Sequence, residues 1–107
     1  MAPKGRRIFT VPTPLRYHVV LTRDRWRRIV RSKHPALAGL EKEVRACLVS
    51  PSVVRESTKE PAVHMYYASA GTVYLCVVTA PSEGDVRFVV TAYFTRNIKK
   101  GTELWKS

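Results

Sequence analysis

Between residues 53 and 95 the chain carries four segments of strand-forming composition, near 53–57, 63–69, 72–79 and 86–95. They are separated by turns around Thr58–Pro61, Ser69–Thr72 and Pro81–Asp85, where Pro, Gly, Ser and Asp collect. Connections this short join antiparallel neighbours, because a parallel crossover needs a dozen residues or more. The spacing therefore predicts an antiparallel meander over the second half of the chain, and any helices must come before it.

The last of these segments also predicts what the sheet presents. Side chains alternate along a strand, so Phe88, Val90, Ala92 and Phe94 are expected to face the core, with Arg87, Val89, Thr91, Tyr93 and Thr95 on the opposite face. Hydroxyls and cations are the groups that bind a phosphate backbone. That second face is suited to nucleic acid.

Upstream, Leu15–Leu21 reads as a short first strand. Thr22 is a good N-cap with Asp24 in the following turn, and Trp26, Ile29 and Val30 form an apolar stripe that runs on to Lys33 and His34 before Pro35 ends the helix. Leu37, Leu40, Val44 and Cys47/Leu48 mark a second helix over about 36–49, stopped at Ser50-Pro51. The fold class expected is α+β, with two N-terminal helices packed on one face of a four- to five-stranded antiparallel sheet. Residues 1–14, with three prolines and no sustained periodicity, are expected to be a flexible basic arm ahead of a single domain over 15–107.

Charge narrows the partners. The chain of 107 residues has 19 Lys and Arg against 8 Asp and Glu, a net charge of +11, and ten of those cations fall in residues 1–33 beside the single acid Asp24. A surplus of this kind bears on partners rather than on fold, and points first to nucleic acid, then to an acidic protein, and last to a simple solvated face or contact with a membrane surface. Arg23 and Arg27 belong to this footprint as expected phosphate contacts. No apolar run reaches the roughly 20 residues that span a bilayer. Cys47 and Cys76 sit among apolar neighbours, so the chain is read as cytoplasmic and free of disulfides.

Metal and nucleotide chemistry find little support. His18, His34, His64, Cys47 and Cys76 show no CxxC, HxxxH or HExxH spacing, and no phosphate-binding glycine loop or nucleophile elbow is present. No cofactor is expected. RNA cleavage without a metal needs a base near the 2′-hydroxyl, cations or hydroxyls on the phosphorane charge, and an acid for the leaving oxygen. His34, Arg55, Tyr67 and Thr91 are the candidate catalytic groups, with Ser57, Tyr93, Thr95 and Lys99 as further RNA contacts. Of Tyr66 and Tyr67, which face opposite ways, one is expected in the core and the other free to stack a base or donate a proton. His18 and His64 lie in strands and are read as structural.

The order of these pieces resembles a known family. Trp26-x-x-Ile29, His34-Pro35, Pro51-x-x-Val54-Arg55-Glu56-Ser57, Tyr66-Tyr67 and Val90-Thr91-Ala92-Tyr93-x-Thr95-x-x-Ile98-Lys99-x-Gly101, closed by Trp105, are similar to the phage-associated branch of the barnase, EndoU, colicin and RelE (BECR) nuclease superfamily. The resemblance covers roughly residues 17–105. It implies one or two N-terminal helices before a four-stranded antiparallel sheet, metal-independent RNase activity of the toxin kind, and catalytic or substrate-binding roles for His34, Arg55, Ser57, Tyr67, Thr91 and Lys99. The function expected is an RNA endonuclease that leaves a 2′,3′-cyclic phosphate. The alternatives are a non-catalytic nucleic-acid-binding module and a protein that binds an acidic antitoxin or immunity partner.

Overall fold

In the computed structural model, which describes residues 5–107, two strands precede the first helix: β1 (Arg7–Pro12) and β2 (His18–Thr22). Helix α1 (Arg23–Arg28) continues as a π-helical turn (Ile29–Lys33), and a 3-10 turn (Pro35–Leu37) leads into α2 (Glu41–Val49). Strands β3 (Val53–Ser57), β4 (His64–Ala70), β5 (Val73–Pro81), β6 (Val86–Thr95) and β7 (Gly101–Lys106) follow. All seven strands form one sheet in the order β1-β2-β6-β5-β4-β3-β7. The meander β3 to β6 is antiparallel throughout, as its short turns require.

The expected architecture of two N-terminal helices on a four- to five-stranded antiparallel sheet is therefore corrected in three respects. The sheet has seven strands, two strands rather than one short one precede the helices, and the sheet is mixed because β2 runs parallel to β6. The helices are also short. The BECR-like layout that the resemblance implies is not the one observed.

The expected flexible arm over 1–14 is corrected as well. Residues 1–4 lie outside the described residues, but Arg7–Pro12 pair with β2, and Val11 is buried in the main core. The register slips between Arg7 and Phe9, which breaks the alternation that would mark a strand in the sequence.

A second bulge resets β6. Val78 pairs with Thr91 while Thr79 pairs with Val89, so Val90 is an extra residue and the facing of the strand reverses across it. Val89, expected on the polar face, is thus fully buried in the core beside Ala92, whereas Phe94, expected in the core, is 39% exposed. Thr91, Tyr93 and Thr95 keep the common face expected of them.

Two apolar clusters sit on opposite faces of the sheet. The larger gathers Val11, Val19 and Leu21 from the first two strands, Trp26 and Ile29 from the first helix, and Val44, Cys47 and Leu48 from α2, against Val54, Tyr66, Leu75, Val77, Val89 and Ala92. The Cys47 thiol lies 3.5 Å from the Tyr66 carbonyl and 3.6 Å from that of Leu75, which sets α2 directly on β4 and β5. The smaller cluster of Val53, Met65, Tyr67 and Cys76 includes no helix residue and is packed by Tyr74, Val78, Tyr93 and Ile98. Tyr66 and Tyr67 are both fully buried, one in each cluster, so neither ring is free to stack a base.

Candidate functional site

Strand pairing lays two rows of side chains across the face opposite α2. One row is Val53, Tyr67, Cys76 and Tyr93; the next is Arg55, Met65, Val78 and Thr91. Residues two apart on one strand share a face, so Thr91 stands beside Tyr93 and Arg55 beside Val53. Thus a Tyr, a Thr and an Arg from two strands meet one surface.

Two further elements reach this surface. The segment after β6 folds back so that Ile98 packs on the small cluster, and both backbone polar groups of Lys99 are held. Its N–H donates to the Tyr67 hydroxyl at 3.1 Å, and its carbonyl accepts from Arg55 Nη1 at 3.1 Å. Lys99 Nζ then lies 5.8 Å from the Tyr93 ring centroid, within cation–π range. From the other side of the sequence, β2 pairs with β6 only over Val86–Phe88, leaving the rest of β6 with a free edge. The first helix and its continuation touch β6 at two points: Arg25 stacks over Phe88, and the His34 ring meets Tyr93 with centroids 5.7 Å apart at 35°.

Local sequence explains why His34 stops there. Its N–H donates to the Ile29 carbonyl at 2.8 Å, closing the π-helical turn, and Pro35 forces its backbone out of the helical region to φ −137°, ψ 73°. The imidazole is half-buried and hangs off a helix end.

Electrostatics follow from burial. Desolvation holds the Tyr93 hydroxyl well above the usual phenol range, so it stays a proton donor at neutral pH. Burial likewise pushes Tyr67 up to about 12 and the Cys76 thiol up to about 11. Thr91 Oγ1 and Arg55 Nε are buried with no hydrogen-bond partner in the protein. Unpaired buried polar atoms are uncommon, because each gives up its hydrogen bonds to water on folding.

The candidate residues divide accordingly. His34, Tyr93, Lys99, Thr91, Tyr67 and Arg55 are brought to one face, but Tyr67 and Arg55 act there by positioning Lys99. Ser57 Oγ accepts from the Glu60 N–H at 3.3 Å, and Thr95 Oγ1 bonds both backbone groups of Asn97, so these two hydroxyls shape turns. Arg23 and Arg27 stand elsewhere, lining a groove with Arg7 and Arg31 that includes none of the Tyr93 set. The helical spacing of 23, 27 and 31 was visible in the sequence; Arg7 enters only because β1 forms.

A second polar cluster closes the core at the start of β4 and β6. The Tyr66 hydroxyl shares hydrogen bonds with Thr13 Oγ1, at 2.9 Å, and with the Tyr17 hydroxyl, donating its one proton to one of them and accepting from the other, and the Tyr17 hydroxyl in turn meets His64 Nδ1 at 2.8 Å. Arg87 stacks on Tyr17 and donates to Thr79 Oγ1 and to the carbonyls of Ala62 and Thr79. Its donors serve the backbone, so the cluster is a structural plug.

Among the described residues no three His, Cys, Asp or Glu side chains converge as a metal site would require, and no helix is long and apolar enough to cross a membrane. Comparison with protein-family models, with curated proteins and with solved structures finds no match for this chain.

Proposed function

We propose that the chain is a metal-independent RNA endonuclease that cleaves at the Tyr93 face. The observation that carries this reading is the meeting of His34 and Lys99, from elements far apart in the sequence, on the ring of Tyr93, beside an unpartnered Thr91 hydroxyl. An imidazole gives or takes a proton near neutral pH, a lysine neutralises phosphate, and protonated hydroxyls donate to developing oxyanions.

In the reaction the ribose 2′-oxygen attacks the adjacent phosphorus. The new P–O bond forms as the bond to the 5′-oxygen breaks, giving a 2′,3′-cyclic phosphate and a 5′-hydroxyl. His34 removes the 2′-proton as base, and the leaving 5′-oxygen takes its proton from solvent water or from the imidazolium so formed. Lys99 and the hydroxyls of Thr91 and Tyr93 bind the charge on the nonbridging oxygens. DNA lacks the nucleophile and is bound without being cut.

Two unpaired, buried cysteines suit a reducing cytoplasm. The net charge of +11 suits a toxin whose neutralising partner is acidic and covers the basic surface. The test is incubation of purified protein with RNA of mixed sequence in EDTA. Cleavage with cyclic-phosphate termini is expected; a requirement for added magnesium, or products ending in a 3′-hydroxyl, would falsify the mechanism. Binding of RNA and DNA alike with no cutting of either favours a non-catalytic module.

A further inference from the structure

The groove against the outer side of the first helix has a volume of about 560 Å³, within the range of small-molecule sites. Its floor is apolar, made by Ile8 of β1 and by Trp26 and Val30, and its rim carries Arg7, Arg23, Arg27 and Arg31. Among the described residues none of these four arginines is in an ion pair. Four guanidinium groups around one opening, with Glu41 as the one acid lining it, repel one another, and an anion bound there relieves that repulsion.

We infer that this groove is a subsite for single-stranded nucleic acid, taking one base over Ile8, Val30 and the margin of Trp26 that reaches the groove, and the flanking phosphates on the arginines. Three features choose this occupant over an acidic peptide. All four cations are arginines, whose planar forks match phosphate oxygens bidentately and whose faces stack on bases. Arg23, Arg27 and Arg31 recur every fourth residue along one side of the first helix and its continuation, a repeat suited to successive phosphates of an extended strand. Glu41, the acid at the groove, repels phosphate and carboxylate alike but accepts from a ribose hydroxyl or a base amine, donors that the side chains of an acidic peptide lack. The subsite does not depend on cleavage at the Tyr93 face.

The probe is a fluorescent 2′-O-methyl hexanucleotide, which has no free 2′-nucleophile and so reports binding whether or not the protein is a nuclease. In a Trp105→Phe background Trp26 is the sole tryptophan, and its emission is expected to be quenched on binding. The paired variant Arg27→Glu and Arg31→Glu should bind roughly tenfold more weakly or worse, with the slope of log affinity against log salt reduced by about 0.7 per lost phosphate contact. Both arginines are exposed and repel their neighbours, so a thermal midpoint at or above the parent's is expected and confirms that the fold is retained. Lys59→Glu, a charge reversal in the exposed turn after β3, changes the net charge as much as either arginine reversal alone and should bind more nearly like the parent than Arg27→Glu or Arg31→Glu does. The inference is overturned if the paired variant binds with the parent's affinity and slope, if Lys59→Glu weakens binding as much as Arg27→Glu or Arg31→Glu does, or if a polyglutamate peptide competes as well as the hexanucleotide. Failure of RNA cleavage in EDTA with this binding intact overturns the nuclease reading alone.

Discussion

His34 owes its place to the residue after it. Pro35 cannot extend a helix and disfavours helical geometry in its predecessor, so the imidazole is turned out at the helix end and lies against Tyr93. Replacement of His34 by Ala should lower the cleavage rate by roughly 100- to 10,000-fold, the range for a general acid or base, with RNA affinity and thermal midpoint nearly unchanged. A folded variant that cuts at the parental rate sinks the assignment. His64 makes the contrast. Burial, helped by the charge of Arg87, lowers its pKa to about 4 from the usual 6.5, with Tyr17 on one ring nitrogen and Glu56 3.9 Å from the other. The unfolded chain takes up a proton near pH 6.5 that the folded one refuses until about pH 4, so this residue costs no stability above 6.5 and an increasing amount as pH falls toward 4. Urea midpoints measured across that window should decline, and the decline should flatten in His64→Asn; an equal slope in the variant assigns the effect to other groups.

At the level of elements, the strands the sequence revealed best are those whose alternation is unbroken and whose neighbours are a turn away. The meander strands lie where the spacing of Val53–Ser57 and Val86–Thr95 puts them, because local pairing decides them. The missed strands carry irregular registers: β1 slips between Arg7 and Phe9, and β7 slips against β3 at Val54 and Arg55. Their pairing is settled by tertiary contact, which no local pattern records. The same holds at the site. Thr91, Tyr93 and Lys99 were legible from strand phase and the basic end of the chain, while the positioning roles of Tyr67 and Arg55 depend on a backbone that folds back over them. Because β1 contributes a buried valine and covers β2, deleting residues 1–12 should cost several kcal/mol of a total that is typically about 5–15. Thermal unfolding of the truncated chain at the parental midpoint would show that β1 contributes no stability.

For the whole molecule, the surplus of +11 charges acts on folding and on binding with opposite salt dependence. Raising salt from about 10 to about 150 mM shortens the screening length from roughly 30 to roughly 8 Å. The thermal midpoint should rise as self-repulsion is screened, while RNA affinity falls as counterion release becomes less favourable. A midpoint insensitive to salt would mean the basic surface carries no net strain. The parallel joint between β2 and β6 has a different consequence. It pairs His18 with Val86 and Val20 with Phe88, so two ends of the chain must meet before the first third of the fold has anything to rest on. The meander closes through short loops, whereas this joint must close a long one and search its register without a turn to guide it. In refolding followed by hydrogen exchange, amides of β3 to β6 should become protected before those of β1 and β2. Throughout that interval the groove floored by Ile8 and Trp26 does not yet exist, so the capacity of the arginines to hold a strand matures last.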